Sequence, residues 1–191
     1  APLLIVRGQQ GVLRQHATGI ALMGVFSSAL PFVLIAWAML SITAGLASIL
    51  NATVPIFTAL IGALWLGERL GAWRTSGLAV GFGGVLLLAA DKADFKPGGS
   101  GWAIAAMLLA TLSYGFAANL ARRRLTGVPA LVNAAGSQIV SAIVLLPVAV
   151  WFWPPTTPGW MAWSAAVVLG VGCTALAFLL FFRLIANVGA S

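Results

Sequence analysis

Charge is what this sequence has least of: of 191 residues, ten are Lys or Arg and three are Asp or Glu, 7% in all. A soluble domain carries roughly a quarter charged residues, so a soluble globular fold is excluded at once. Cysteine is nearly absent. Cys173 stands alone, which rules out a disulfide framework or a four-ligand zinc site built from this chain. The three acidic residues, Glu68, Asp91 and Asp94, give no carboxylate pair at membrane depth, and the single His16 has no acidic or nucleophilic neighbour. No phosphate-binding loop is present, and the formal dinucleotide pattern Gly170-Val-Gly172-Cys-Thr-Ala175 lies inside an apolar run, not between strand and helix. No enzyme, cofactor or metal is expected. The net charge of +7 does not imply nucleic acid either, because the basic residues sit in short connections between apolar runs.

What remains is hydrocarbon. Hydrophobic residues make up 61% and the mean hydropathy is +1.06. In a bilayer every backbone polar group must be paired internally, which leaves helices or a closed barrel. Barrel strands alternate apolar and polar residues over about ten positions, whereas these runs are apolar on all sides for longer than that. The fold class is therefore all-α, a polytopic membrane protein with the lipid bilayer as its first partner. From Ala17 to Gly67 there is no charge, and one helix of that length would reach about 75 Å against a hydrocarbon core of roughly 30 Å. The run must turn once, and Ser41–Gly45 is small and polar enough to do it. A second uncharged run, Leu125–Phe182, must turn at Trp153-Pro-Pro-Thr-Thr-Pro158.

Six complete spans follow, near Thr18–Leu40, Ala44–Leu66, Thr75–Ala90, Trp102–Ala121, Val128–Phe152 and Trp160–Phe182. Ala1–Val6 reads as the tail of a further span. Gly77-x-x-x-Gly81 marks the third as a packing element. Trp151, Trp153, Trp160 and Trp163 gather at the second turn, as aromatic side chains do at headgroup level, and Trp37 reads as part of the same kind of belt.

Alternating the connections puts Arg7, Arg14, Arg69, Arg74, Arg122, Arg123, Arg124 and Arg183 on one side and Lys92 and Lys96 on the other. The basic excess marks the first side as cytoplasmic, and the expected location is the cell inner membrane, crossed many times. A weak internal match lays Gly24–Gly45 on Gly170–Ser191. The two copies run in opposite senses by the arginine count, the mark of inverted repeats in secondary transporters. The loop-like stretch 92–101 then divides a first copy, 1–91, from a second, 102–191.

Polar side chains inside the spans are the candidate site. Ser48, Asn51, Pro55 and Thr58 are spaced by three, four and three, which places them along one side of a helix. Unpaired polar groups are costly in lipid, so this side is expected to face other helices or a wet cavity. Pro55 removes a backbone donor and frees the carbonyl of Asn51. Tyr114 and Asn119 in one span, and Asn133, Ser137, Gln138 and Ser141 in the next, are the other polar groups at depth, with Gln138 the costliest to leave unpaired. Substrate contact is the sharper reading for Ser48, Asn51, Pro55, Thr58, Tyr114 and Gln138; hydrogen bonding between helices is the plainer one. Glu68 lies at a helix end beside Arg69, which points to an ion pair or topology anchor and not to a proton relay at depth.

The segment N-A-T-V-P-I-F-T-A-L-I-G-A-L-W-L-G-E-R-L, Asn51–Leu70, followed by Gly77, Gly81 and Gly84, resembles the EamA family of the drug/metabolite transporter superfamily. The resemblance implies inverted five-helix repeats, ten helices with both ends cytoplasmic and a central cavity. Family helices one, nine and ten and most of two have no counterpart in this sequence. The implied activity is secondary transport by alternating access, typically export of amino acids or other small metabolites, with a small-molecule substrate as partner. The competing expectation is a helical membrane protein with a structural or assembly role and no transport.

Overall fold

A computed structural model describes residues 10–90, 94 and 100–170, and every regular element among them is helical. A short helix α1 (Gln10–Gln15) leads into α2 (Ala17–Ala38). Then come α3 (Ala44–Leu66), α4 (Ala72–Ala90), α5 (Gly101–Arg124), α6 (Ala130–Trp151) and α7 (Trp160–Val167). Five of these, α2 to α6, are long and apolar enough to cross a bilayer. The protein is an all-α polytopic membrane protein. The expected sixth span opens as α7, and its remainder lies outside the described residues, as do Cys173 and the second copy of the internal match.

Both turns fall where sequence placed them. Thr43 caps α3, its hydroxyl accepting from the Leu46 N–H at 3.3 Å. The second turn, with Pro154, Pro155 and Pro158, separates α6 from α7. Two compact units divide at Leu146 and Pro147. In the second unit Trp151, Trp153, Trp160 and Trp163 are all exposed, with the rings of Trp153 and Trp163 6.3 Å apart.

In the first unit α5 is central. Of its span 61% is buried, against 11% for α4, and it packs on both α2 and α3. Ala38, Ile42, Leu46, Leu50, Val85 and Met107 share one apolar core; Ile20, Leu125 and Val132 form another. The expectation that α4 is a packing element through Gly77 and Gly81 is not met among the described residues. A Cβ on Gly77, Gly83 or Gly84 would meet nothing within 4 Å, and on Gly81 only Ile56 at 3.7 Å. The glycines that let helices close up are elsewhere. A Cβ on Gly115 would sit 2.9 Å from the Phe57 and Thr58 backbone of α3, and one on Gly24 2.5 Å from the Ser137 carbonyl of α6.

Two prolines shape the backbone. In α2 the segment Val25–Ala29 takes a π-helical turn, with the Leu30 N–H reaching the Val25 carbonyl five residues back. In that register the Phe26 carbonyl points at Pro31, which has no N–H, and the Ser113 hydroxyl of α5 donates to it instead at 2.7 Å. In α3 the residue four after Asn51 is Pro55, and the helix breaks at Ala52–Thr53 into Ala44–Asn51 and Val54–Leu66. At the break Thr53, fully buried, donates to the Leu50 carbonyl at 2.7 Å.

The arginines collect at one end. Glu68, just after α3, pairs with Arg122 near the end of α5. Gly19, at the start of α2, lies against Leu125 and Arg124. The described arginines from Arg14 to Arg124 thus share the end of the bundle where α3 and α5 finish and α2 begins, as the alternation of connections required.

Candidate functional site

Toward the opposite end, α2, α3 and α5 line an open-sided cavity of about 400 Å³. Its lining is Ile35 from α2, Met39 just past its end, Ala44, Ala47, Ser48 and Asn51 from α3, and Met107 and Tyr114 from α5. The wall carries no charged side chain. Its polar groups are a hydroxyl, an amide and a phenol, set among two thioethers and small aliphatic side chains. Such a lining offers hydrogen bonds to a polar ligand and no counter-ion to a net charge.

The six candidate residues do not act as one group. Ser48, Asn51 and Tyr114 meet in this cavity. Ser48 donates back to the Ala44 carbonyl at 2.9 Å, which leaves its oxygen able to accept. Asn51 is exposed to the cavity, and its side chain makes no hydrogen bond among the described residues. Its amide therefore keeps both donor and acceptor capacity for a ligand. The break at Ala52–Thr53 then swings the rest of the stripe away. Pro55 is exposed and outside the lining, and its chemical effect is on the carbonyl of Asn51, which has no N–H four residues on.

Thr58 turns toward α5. Its hydroxyl donates to the Val54 carbonyl at 2.8 Å, and its own carbonyl accepts from the Asn119 amide at 2.9 Å. Gln138 belongs to a separate polar cluster between α2 and α6, where its side-chain oxygen accepts from Ser28 at 3.0 Å, and Ser28 lies 3.5 Å from Ser27. A second cleft, between α3 and α4, is lined by Ile56, Phe57, Leu60, Leu70, Thr75, Leu78, Ala79 and Phe82 and is almost wholly apolar. It offers a polar ligand little.

Sequence reasoning passed over several buried polar residues that the fold uses. Thr53 and Thr111 are fully buried and joined hydroxyl to hydroxyl at 3.0 Å, bridging the broken α3 to α5. Thr53 lies off the Ser48–Asn51 stripe, so helical periodicity assigned it no face of its own. Its neighbour Pro55 was the available signal, because a helix broken upstream of proline leaves carbonyls that need a donor. Ser28 and Ser113 are likewise buried, each tied to a neighbouring helix. Glu68 pairs across to Arg122 and not with the adjacent Arg69.

Residues 1–90 and 101–191 both match the EamA-like transporter family. A relative described as a probable terminal-alkyne amino-acid exporter, from Streptantibioticus cattleyicolor, is 32% identical over 148 residues, which is 76% of this chain and 50% of the relative. The chain thus spans about half the length of the relative it matches. No solved structure matches it. A multi-pass helical chain that matches the family over nearly its whole length belongs to the EamA-like transporter family.

Proposed function

We propose that this chain is part of a secondary carrier that moves a small metabolite, an amino acid or a related compound, out of the cell by alternating access. The observation that carries the reading is the uncharged cavity of Ser48, Asn51 and Tyr114, set away from the arginine-rich end in a chain of a transporter family. The exporter relative supports the direction and the substrate class. In this reading the arginine-rich end faces the cytoplasm of a bacterial inner membrane, and the first copy (1–91) and second copy (102–191) run in opposite senses about the connection 92–101.

Each candidate residue has a task. Asn51 and Tyr114 hydrogen-bond the polar head of the substrate, with Ser48 accepting, while Met39 and Met107 pack on its apolar part. Pro55 keeps the Asn51 carbonyl free and gives α3 a place to flex. Thr58 and Gln138 lie outside this wall and hold the helices that form it. Zwitterions and neutral molecules suit such a wall better than net ions, since a cavity without counter-ions leaves a net charge unpaired.

The test is transport by the full-length protein in lipid vesicles. Efflux of amino acids with small apolar side chains should exceed that from empty vesicles. Asn51→Ala and Tyr114→Phe should each lower it by about tenfold, the worth of one hydrogen bond of roughly 1.4 kcal/mol. Efflux no greater than from empty vesicles across an amino-acid panel would remove the carrier reading. Normal efflux in both variants at equal protein levels would move the site elsewhere.

A further inference from the structure

Helices α3 and α4 part toward the arginine-rich end. The buried residues of α4 are Val85 and Ala89, near its far end, and they share the core of Leu46 and Leu50 in the first half of α3. The opening turns of α4 have no such partners: a Cβ on Gly77 would meet nothing within 4 Å. Between the parted ends lies the second cleft, about 280 Å³ and almost wholly apolar. The rings of Phe57 and Phe82 bridge it edge to face, 6.4 Å apart.

The depth of this groove and the charge at its mouth select an occupant. Ile56, the lining residue of α3 farthest from the arginine-rich end, lies ten residues before Leu66, the last of that helix. That is about 15 Å of helix, half of a hydrocarbon core of roughly 30 Å, so the groove is as deep as one leaflet. Its mouth is basic. Leu70 and Thr75, which line it there, are the chain neighbours of Arg69 and Arg74. Both arginines are exposed, and among the described residues neither forms an ion pair, since Glu68 is taken by Arg122. Trp73, beside Arg74, is 92% exposed, as suits an indole at headgroup level.

We infer that this groove binds an anionic phospholipid of the leaflet at the arginine-rich end, with one acyl chain between α3 and α4 and the phosphate held by Arg69 and Arg74. Lipid tails are as apolar as the groove wall, so the wall supplies fit and not preference. Preference comes from the two guanidinium groups, which match phosphate oxygens in planar, two-pronged geometry. A free phosphate would meet the arginines and leave the groove unfilled. A further helix, about 10 Å across with its side chains, is too wide for a gap that Phe57 and Phe82 bridge. The bound lipid ties α4 to α3 where the two helices make little contact of their own. The site goes beyond the carrier reading and does not depend on it, because lipid binding is observable with no substrate.

The experiment is native mass spectrometry of the full-length protein, released from micelles that hold equal amounts of phosphatidylglycerol and phosphatidylcholine. The wild type should retain phosphatidylglycerol in preference. Arg69→Ala and Arg74→Ala should each lower that preference about fivefold, the worth of one arginine at an anionic membrane surface. Both side chains are exposed, so these variants should fold as the wild type does. Arg14→Ala, at the same end but on α1, should leave the preference unchanged. Ala79→Trp fills the groove with the arginines in place and should reduce retention of both lipids. Inorganic phosphate should not displace phosphatidylglycerol from the wild type. Equal losses in Arg14→Ala and Arg69→Ala would reduce the effect to general surface attraction and overturn the site. Full retention in Ala79→Trp alongside loss in the arginine variants, or displacement by phosphate, would leave an anion site with no chain in the groove and overturn it equally. Retention unchanged in every variant would mean that another segment of the full-length protein or a second copy covers the groove, which would also overturn it.

Discussion

Thr53 and Thr111 bond hydroxyl to hydroxyl at 3.0 Å, both fully buried, at the point where α3 is broken. Each hydroxyl also lies within reach of a carbonyl of its own helix, Thr53 of Leu50 and Thr111 of Leu108 at 2.9 Å, and whichever donates across the pair gives up its own carbonyl. A hydroxyl has one hydrogen, so only one of the two can donate across at a time. The pair is a small network that closes the break and holds the cavity-lining half of α3 onto α5.

Replacing Thr111 with Val keeps its shape and removes that cross-helix partner. Thr111→Val should cost about 1 kcal/mol, the usual worth of a polar contact between membrane helices. Thr53→Val should cost a similar amount, because the Leu50 carbonyl keeps the Thr53 N–H as a donor at 3.0 Å. A double-mutant cycle on unfolding in detergent should give a coupling between them of about 0.5 kcal/mol or more. Additive losses would show that the two hydroxyls act independently.

Glycine substitutions separate the packed helix pairs from the open one. Gly115→Ala puts a methyl group 2.9 Å from the α3 backbone, and backbone cannot rotate aside as a side chain can. The helices must separate, at a cost of about 1–3 kcal/mol. Gly77→Ala meets nothing within 4 Å in the described residues and should be neutral or slightly stabilising, since alanine favours helix. Thermal unfolding of the two variants side by side decides the matter. Equal effects would mean that α4 is as tightly packed in the full protein as α5.

The Glu68–Arg122 pair lies at the surface end of the bundle, with Arg122 more than half exposed. Its removal should therefore cost stability little, less than about 1 kcal/mol for Arg122→Ala, with the loss shrinking as salt is raised. The reversed pair Glu68→Arg with Arg122→Glu should recover most of that stability. A loss of several kcal/mol unaffected by salt would show the pair to be buried in the full-length protein.

Ser28 and Gln138 join α2 to α6 by one hydrogen bond at 3.0 Å beside the π-helical turn. Gln138→Leu should lower stability by about 1 kcal/mol. Vesicle efflux per folded molecule should stay within twofold of the wild type, because Gln138 does not line the cavity of Asn51 and Tyr114. A tenfold drop in efflux at unchanged stability would return Gln138 to the substrate path.

Much of the architecture was legible in the chain. Uncharged runs too long for one crossing had to turn, and the turns came at the small polar stretch after Met39 and at Pro154–Pro158. The arginines marked one end because a guanidinium is costly in hydrocarbon, and the fold gathers Arg122 to Arg124 with Glu68 and the start of α2 there. Asn51 and Ser48 were legible as a pair because a helix puts residues three apart on one side.

Sequence by itself thus determined the class, the number of described crossings and their alternation, since the bilayer imposes those through transfer free energy alone. Tertiary structure decided which polar groups share a space. Helical periodicity runs only as far as the helix is unbroken, so the stripe from Ser48 to Thr58 was cut in two at Ala52–Thr53. Which glycines admit a neighbour depends on that neighbour, so Gly115 and Gly24 became contact points while Gly77 did not. The pairing of Glu68 with Arg122 arises from the left-handed turn at Gly67 and from α5 packing beside it, which spacing along one helix does not show.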